Sequence, residues 1–563
     1  MMGLLNKITI GLIHKAVVSK GKAVMRNIEK ISESPMSSQE EFLLQLLQDN
    51  KDTEFGKRYN FETIDSIQEY SKRVPVSKYD DYAADIERMA IKGEKNVLCA
   101  YPISHFSKSS GTMGNPKYIP YSDVTAKRSS PYTLPYIFAM LDKEGLLSPR
   151  KGISLVESVL TVLPTGSTYG AYSGKAIQDS KFVFENLNTP PVEVVIPKGR
   201  MNIRYMQSFY ALKKKGLGVG MCAFYSYYLE VLRFIEKNWE MLADDIENGT
   251  FDKSIEIPAD QREILEKKLK PDPKRAAEIR EIFKSPVQPI VPQLWPNFKV
   301  VVGVGTASFR TYTEKLKIYF GPKIHFYMLG LAASEGIFSV PIKIDSGESV
   351  LVADSVFYEF LPEGSDDLSE ICTLDKLEVG KNYELIITNL SGFYRYRMRD
   401  IIRVEGMYKN TPTIEFCYRA DETVNLVGEK TTEYALREVV RKSAEECGIE
   451  TVDYCMYPNA DAEPVRYEFL VEPTSYLPDD FDTSALCEAI NRNLAISNPS
   501  IGDKIARGIV GKSRLFMLQE ETNLLYRDVM ILKGTASAQL KPPRILDNPW
   551  RKEFFYRLID DRY

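Results

Sequence analysis

Histidine is scarce in this sequence. His14, His105 and His325 are the only three in 563 residues, too few and too scattered for a histidine metal cage or a histidine-driven catalytic triad. Each reads as structural, and His105 stands out only because it abuts a hydroxyl-rich loop. Seven cysteines are odd in number and form no C-x-x-C pair. That pattern argues against a disulfide framework or a zinc site and makes the cytoplasm the expected location. A basic excess is also lacking: Lys and Arg total 73 against 77 Asp and Glu, for a net charge of −4. Nucleic acid is therefore not an expected partner. Residues 1–25 break their apolar content with Lys7, His14, Lys15 and Lys20 and show no small-residue cleavage site. They read as an amphipathic helix packed on the body in preference to one associated with a membrane surface, and not as a signal peptide or a spanning helix. The Walker spacing G-x-x-x-x-G-K-[ST] is missing too.

The length exceeds what one hydrophobic core sustains, and a composition of 44% hydrophobic and 27% charged residues is that of a globular protein. Residues 1–95 read mainly as helices. Strands mix with helices over 96–190, with Cys99–Ile103 expected as a strand entering a loop and Lys117–Tyr121 as the strand leaving it. Residues 203–246 are helical by pattern, and the charged stretch 253–284 reads as a solvent-facing helical excursion. Short strands at Lys299–Val304, Lys323–Leu329, Ser349–Phe360 and Tyr383–Asn389 then alternate with helices, which predicts an α/β core. Composition changes near Arg419. Beyond it, helices at Glu429–Glu446, Thr483–Leu494 and Glu521–Leu532 with strands at Arg466–Glu472 and Arg514–Leu518 make a small α+β unit. The expected division is a large domain over 1–422 and a small one over 423–563, with a hinge near 419–428.

Four stretches concentrate chemistry. The first, Phe106 to Pro120, holds Ser109, Ser110, Gly111 and Thr112 between Lys108 and Lys117. Hydroxyls and a glycine-rich turn of N–H groups form an anion cradle, although a Ser/Gly surface turn has the same composition. The second, Leu331-Ala332-Ala333-Ser334-Glu335-Gly336, offers a carboxylate beside small residues. It suits a flat ligand and a metal ion, or equally a strand-to-helix turn capped by Ser334. The third runs from Gly392 through Arg395, Arg397 and Arg399 to Asp400. Asp400 could accept both hydroxyls of a ribose or form salt bridges with those arginines. The fourth is Tyr418-Arg419-Ala420-Asp421 followed by Gly428-Glu429-Lys430, a charged hinge able to swing a cation, or a plain helix start.

In this order the four stretches resemble the adenylate-forming enzymes, and more closely the GH3 (auxin-responsive promoter) family of acyl acid amido synthetases. Further blocks carry the resemblance: Val74-Pro75-Val76-Ser77-Lys78-Tyr79, Gly93-Glu94, Leu294-Trp295-Pro296-Asn297, Phe357-Tyr358-Glu359-Phe360, Gly534-Thr535-Ala536-Ser537 and Gln539-Leu540-Lys541-Pro542-Pro543-Arg544. The resemblance implies a large adenylation domain of β-sheets flanked by helices, followed by a small mobile C-terminal domain. It implies ATP and Mg²⁺, an acyl-adenylate formed from a small carboxylic acid, and transfer of the acyl group to an amine such as an amino acid, by a monomer.

The same resemblance assigns roles. Ser109, Ser110, Gly111 and Thr112 grip phosphate, Ser334 and Glu335 face the nucleotide with Glu335 on the metal, and Asp400 clamps the ribose. Arg419 stands at the hinge and Lys430 is the mobile cation, counted as catalytic together with Thr112 and Glu335; Lys541 matches the family without a derived role. Residues 120–340 are expected to line the acid pocket, with Tyr121, Leu163, Tyr225 and Val304 as candidates. Arg399 stands where the family usually has glycine, Leu331 where an aromatic is common, and Asn115 replaces a loop glycine. An acyl-CoA ligase of the same chemistry and a non-catalytic nucleotide-binding homologue remain alternatives.

Overall fold

A computed structural model describes residues 2–563 apart from 109–116, 307–309, 421–422, 425, 428–430, 475–476, 479–480, 536, 538–539 and 547. Its internal contacts divide it into one unit of Met1–Met398 with Ile402–Phe416 and a second of Arg399–Ile401 with Cys417–Tyr563.

The first unit contains three larger sheets. One is all parallel, in the order Ile153–Leu155, Val219–Phe224, Val300–Val304, His325–Met328. A second sets β1 (His105–Lys108) between β2 (Tyr118–Tyr121) and Thr168–Gly170, with Leu160–Val162 outermost. The third has seven strands and is built around Val356–Pro362, Asn382–Asn389 and Tyr396–Tyr408. Helices surround the sheets, so the α/β expectation holds. The long helix α1 (Met2–Ile31) joins a core of Val18, Val24 and Ile28 with Tyr136, Ile137 and Met140 from the helix Leu134–Lys143.

Three local expectations need correcting. The strand entering the hydroxyl-rich loop is His105–Lys108, not Cys99–Ile103. Pro102 has no N–H for a ladder, and the earlier segment is held by side chains instead: the Ala100 N–H donates to Asn50 Oδ1 at 2.7 Å. Residues 203–246 are not one helical stretch, because the strand Val219–Phe224 separates Ile203–Lys213 from Tyr225–Asn248. It lies inside a parallel sheet, so it lacks the alternation that marks a half-exposed strand. Tyr225 is a core strut. Its hydroxyl donates toward the Val301 and Tyr327 carbonyls, both at 3.2 Å, and its ring lies where a Cβ on Gly303 or Gly305 would collide with it.

In the second unit Thr451–Asn459 and Arg466–Pro473 pair antiparallel, and Arg514–Met517 adds in parallel. The helices Glu433–Glu446 and Thr483–Ser497 contribute Leu436, Val439, Val440, Ile490 and Leu494 to a core shared with Tyr467, Phe469 and Val471.

Candidate active site

In the first unit, several stretches singled out from the sequence meet at the base of the loop. Ser109, Ser110, Gly111 and Thr112 lie outside the described residues; their two flanks do not. β1 and β2 pair antiparallel, with Lys108 opposite Tyr118. Tyr79 holds the second flank, its hydroxyl accepting from the Tyr118 N–H at 3.1 Å and donating to the Tyr118 carbonyl at 3.3 Å. The Lys117 ammonium sits 4.7 Å from the centre of the Tyr79 ring, within cation–π range. The first flank is held by Ser334, whose Oγ donates to the Lys108 carbonyl at 3.1 Å.

Ser334 and Glu335 form the two-residue turn of a small hairpin, Ala332–Ala333 paired with Gly336–Ile337. The strand-to-helix turn considered from the sequence is therefore not what forms. Glu335 is buried, and its carbonyl accepts from Asn389 Nδ2 at 3.0 Å. Asn389 Oδ1 in turn takes the Ser391 N–H at 3.0 Å and the Phe393 N–H at 3.2 Å. Ser391 Oγ accepts from the Ser122 N–H at 3.1 Å, just beyond β2. Asn389 and Ser391 thus fasten three sequence-distant turns together. Motif reading passed over both because neither side chain carries chemistry of its own. Tyr79 could have been found, since it closes a block already matched to the family. Burial first, and then the charges of nearby groups including Glu335, raise the Tyr79 phenol above its ordinary range. It remains a neutral hydrogen-bonding group.

The arginine-rich block is structural up to residue 397. Gly392 has φ +100°, and a Cβ there would meet the Leu98 Cβ at 2.7 Å, so only glycine fits without displacement. Tyr394 stacks on Phe55 with ring centres 4.5 Å apart. Arg395 is buried against Glu359, with Nε 2.9 Å from Oε2, and donates to the Ser71 and Val74 carbonyls at 2.6 and 2.9 Å. Arg397 binds both oxygens of Glu384 at 2.8 and 2.6 Å. Removing one member of a buried pair such as Arg395–Glu359 strands a charge and costs roughly 3–5 kcal/mol.

Asp400 belongs to the second unit. It is buried, and its Oδ1 accepts from Arg419 Nε at 2.9 Å. The Ala420 N–H reaches the Arg399 carbonyl at 2.6 Å, so the segment after Arg419 is pinned to the residue before Asp400. Arg399 itself has φ +61°. The backbone keeps the left-handed conformation a glycine would favour, although the residue is arginine. Lys430 lies outside the described residues, as do Asp421, Gly428 and Glu429. Lys541 is exposed. Nearby, the Arg544 guanidinium pairs with Asp453 and donates to the Tyr454 carbonyl at 3.1 Å, which anchors the segment that presents Lys541.

His105 is buried and shares a hydrogen bond of 2.9 Å between Nδ1 and Thr168 Oγ1. Burial first, and then the positive charge of Lys175, push its imidazole down to about 4. It is a neutral support within β1, at the first position of that strand. Among the described residues no group of three or more His, Cys, Asp or Glu side chains could hold a metal ion, and no helix is long and apolar enough to cross a membrane.

Three successive matches run along the chain: the GH3 family N-terminal domain at residues 24–324, the central domain at 349–419 and the C-terminal domain at 434–549. The chain belongs to the GH3 family. Among curated GH3 relatives, the indole-3-acetic acid-amido synthetase GH3.3 of Arabidopsis thaliana is 27% identical over 555 residues, covering 93% of this chain and 92% of that protein. Among solved structures, the GH3.15 acyl acid amido synthetase superposes with a TM-score of 0.84 at 21% identity, covering 96% of each chain. A 2-hydroxyisobutyryl-CoA ligase in its postadenylation state reaches 0.50 at 12% identity, covering 96% of this chain and 90% of that one. This GH3 chain therefore has the fold of the adenylate-forming ligases.

Proposed function

We propose that the protein is an ATP-dependent acyl acid amido synthetase. It adenylates a small carboxylic acid, releasing pyrophosphate, and transfers the acyl group to an amine, in the first instance an amino acid. The observation that carries this reading is the succession of matches to the three GH3 domains together with the similarity to an amido synthetase over 93% of the chain. The rival acyl-CoA ligase would use the same first half-reaction with a thiol acceptor, and its representative superposes less well, at 0.50 against 0.84.

A carboxylate is a poor electrophile, and adenylation gives it a leaving group. The protein must then neutralise the charge that builds on the transferring phosphate. Ser109, Ser110, Gly111 and Thr112 are assigned to that task, on a loop whose flanks are held by Ser334 and Tyr79. Ser334 and Glu335 serve the nucleotide, Asp400 clamps its ribose, and Arg419 holds the Asp400 carboxylate in place. Lys430 is the catalytic cation. It is delivered by the domain 423–563, which turns about a hinge near 419–428 between the two half-reactions.

Magnesium fits the donors present. Mg²⁺ is usually held by one or two carboxylates, with substrate phosphates and water completing its shell, and the carboxylate of buried Glu335 matches that better than a protein cage would. When bound, it would supply neutralisation of phosphate charge. We place the enzyme in the cytoplasm as a monomer.

The test is incubation with ATP, Mg²⁺, a panel of carboxylic acids and an amino-acid mixture, followed by mass spectrometry. Acid-dependent AMP and an amide product support the reading. Thioester formation with CoA and no amide would favour the ligase. ATP binding without pyrophosphate release for any acid would favour a non-catalytic homologue.

A further inference from the structure

Helix α1 carries a surface that the proposed chemistry does not use. One side of it is tightly fixed: His14, Val18, Gly21, Val24 and Ile28 are all buried. At Gly21 an added Cβ would collide with the Pro135 carbonyl oxygen of the neighbouring helix. The rotation of α1 is therefore set, and the opposite side must face outward. On that side Ile8 and Leu12 are 52% and 62% exposed. Lys15, Ser19, Lys22 and Arg26 continue the same stripe at spacings of three and four residues, all exposed. Exposed Lys20 lies to one side of it.

The charge of this stripe is one-sided. Residues 2–28 contain Lys7, Lys15, Lys20, Lys22 and Arg26 and no acidic residue, in a chain whose net charge is −4. Two carboxylates approach from elsewhere, Asp142 at 2.8 Å from the Lys22 ammonium and Asp354 at 2.9 Å from Asn27 Nδ2, and the first acidic residue of α1 itself, exposed Glu29, comes after Arg26. Residues 2–13 also hold six leucines and isoleucines. Outward apolar residues at one end of a helix, followed by a row of cations, suit a surface that is negatively charged outside and apolar just beneath.

We propose that the outer face of α1 is a docking surface for an anionic phospholipid membrane, with Ile8 and Leu12 inserting and Lys15, Lys22 and Arg26 meeting the headgroups. Each signal alone gives weak binding, and the two together give a reversible peripheral association. The sequence taken alone favoured a helix merely packed on the body. Packing accounts for only one side of it. The inference is independent of the ligase reading.

The test is co-sedimentation of the full-length protein with vesicles of phosphatidylcholine alone or mixed with phosphatidylglycerol, at low and high salt. The protein should pellet with the anionic vesicles, not with the neutral ones, and salt should release it. The exposed-site variants Ile8→Glu/Leu12→Glu and Lys15→Glu/Arg26→Glu should each lower the partition coefficient about tenfold or more, with unchanged melting temperature. Acid-dependent pyrophosphate release in solution should also be unchanged. The proposal is overturned if the protein stays in the supernatant with anionic vesicles at low salt, or if Ile8→Glu/Leu12→Glu pellets like the parent. It is also overturned if lipid-free sedimentation velocity shows a dimer that this variant splits, since the face would then belong to a second copy.

Discussion

Ser334 donates from its Oγ to the Lys108 carbonyl at 3.1 Å, joining residues 226 apart in the sequence. The bond fixes the Ser334–Glu335 hairpin turn to the strand end from which the hydroxyl-rich loop departs. A carboxylate assigned to the metal and a loop assigned to the phosphates therefore share one mechanical support. Ser334→Ala should lower stability by about 1 kcal/mol or less, the usual net worth of such a bond. The KM for ATP should nevertheless rise several-fold. Steady-state kinetics beside a thermal melt separates the two effects, and an unchanged KM would remove Ser334 from the site.

Asp400 accepts from Arg419 across 2.9 Å. Asp400→Ala should weaken ATP binding by more than roughly tenfold, because a charge-assisted clamp is lost. Isothermal titration with ATP measures it. Unchanged affinity would sink the ribose assignment.

Lys430→Ala should depress turnover while leaving the melting temperature close to the parent's, since a catalytic cation contributes to the reaction and not to packing. If the variant keeps full activity, Lys541 becomes the lysine to test.

Arg399 adopts φ +61°, a conformation that costs a non-glycine residue roughly 1–2 kcal/mol. Arg399→Gly should leave stability unchanged or raise it by up to about 1 kcal/mol, the relief of strain being partly offset by unfolded-chain entropy. Arg399→Val should destabilise clearly, because a β-branched side chain fits that region worst. Denaturant melts of the two variants decide.

His105 links stability to pH. Its imidazole binds a proton at about 4 in the folded protein and near 6.5 in an unfolded chain. Between these values the unfolded state holds more protons, so stability falls as the pH drops from about 6.5 to 4 and is unaffected above that window. His105→Gln should lower the melting temperature at neutral pH through loss of packing, yet flatten its decline on acidification. An equally steep decline in the variant would assign the sensitivity to other groups, such as the buried His14, whose imidazole is also pushed down, first by burial.

The sequence by itself determined the order of the chemical stretches, the α/β class, the small C-terminal α+β unit and the membership that those stretches implied. These are legible because they rest on local composition and spacing, which a chain carries without folding. Only the tertiary structure decided which arginine serves which carboxylate. Arg395 went to Glu359, Arg397 to Glu384 and Arg419 to Asp400: Arg395, at φ +48°, still belongs to the turn before the strand that carries Arg397, and sequence proximity does not pair charges. It likewise made Ser334–Glu335 a hairpin turn, hid a strand at Val219–Phe224 and turned Tyr225 into a core strut. Buried parallel strands lose the alternation that would announce them. Asn389 and Tyr79 acquired their importance only through partners far away in the chain. The outward face of α1 became distinct once Gly21 was seen pressed against Pro135, because a helical pattern shows that sides exist and packing decides which one is left open.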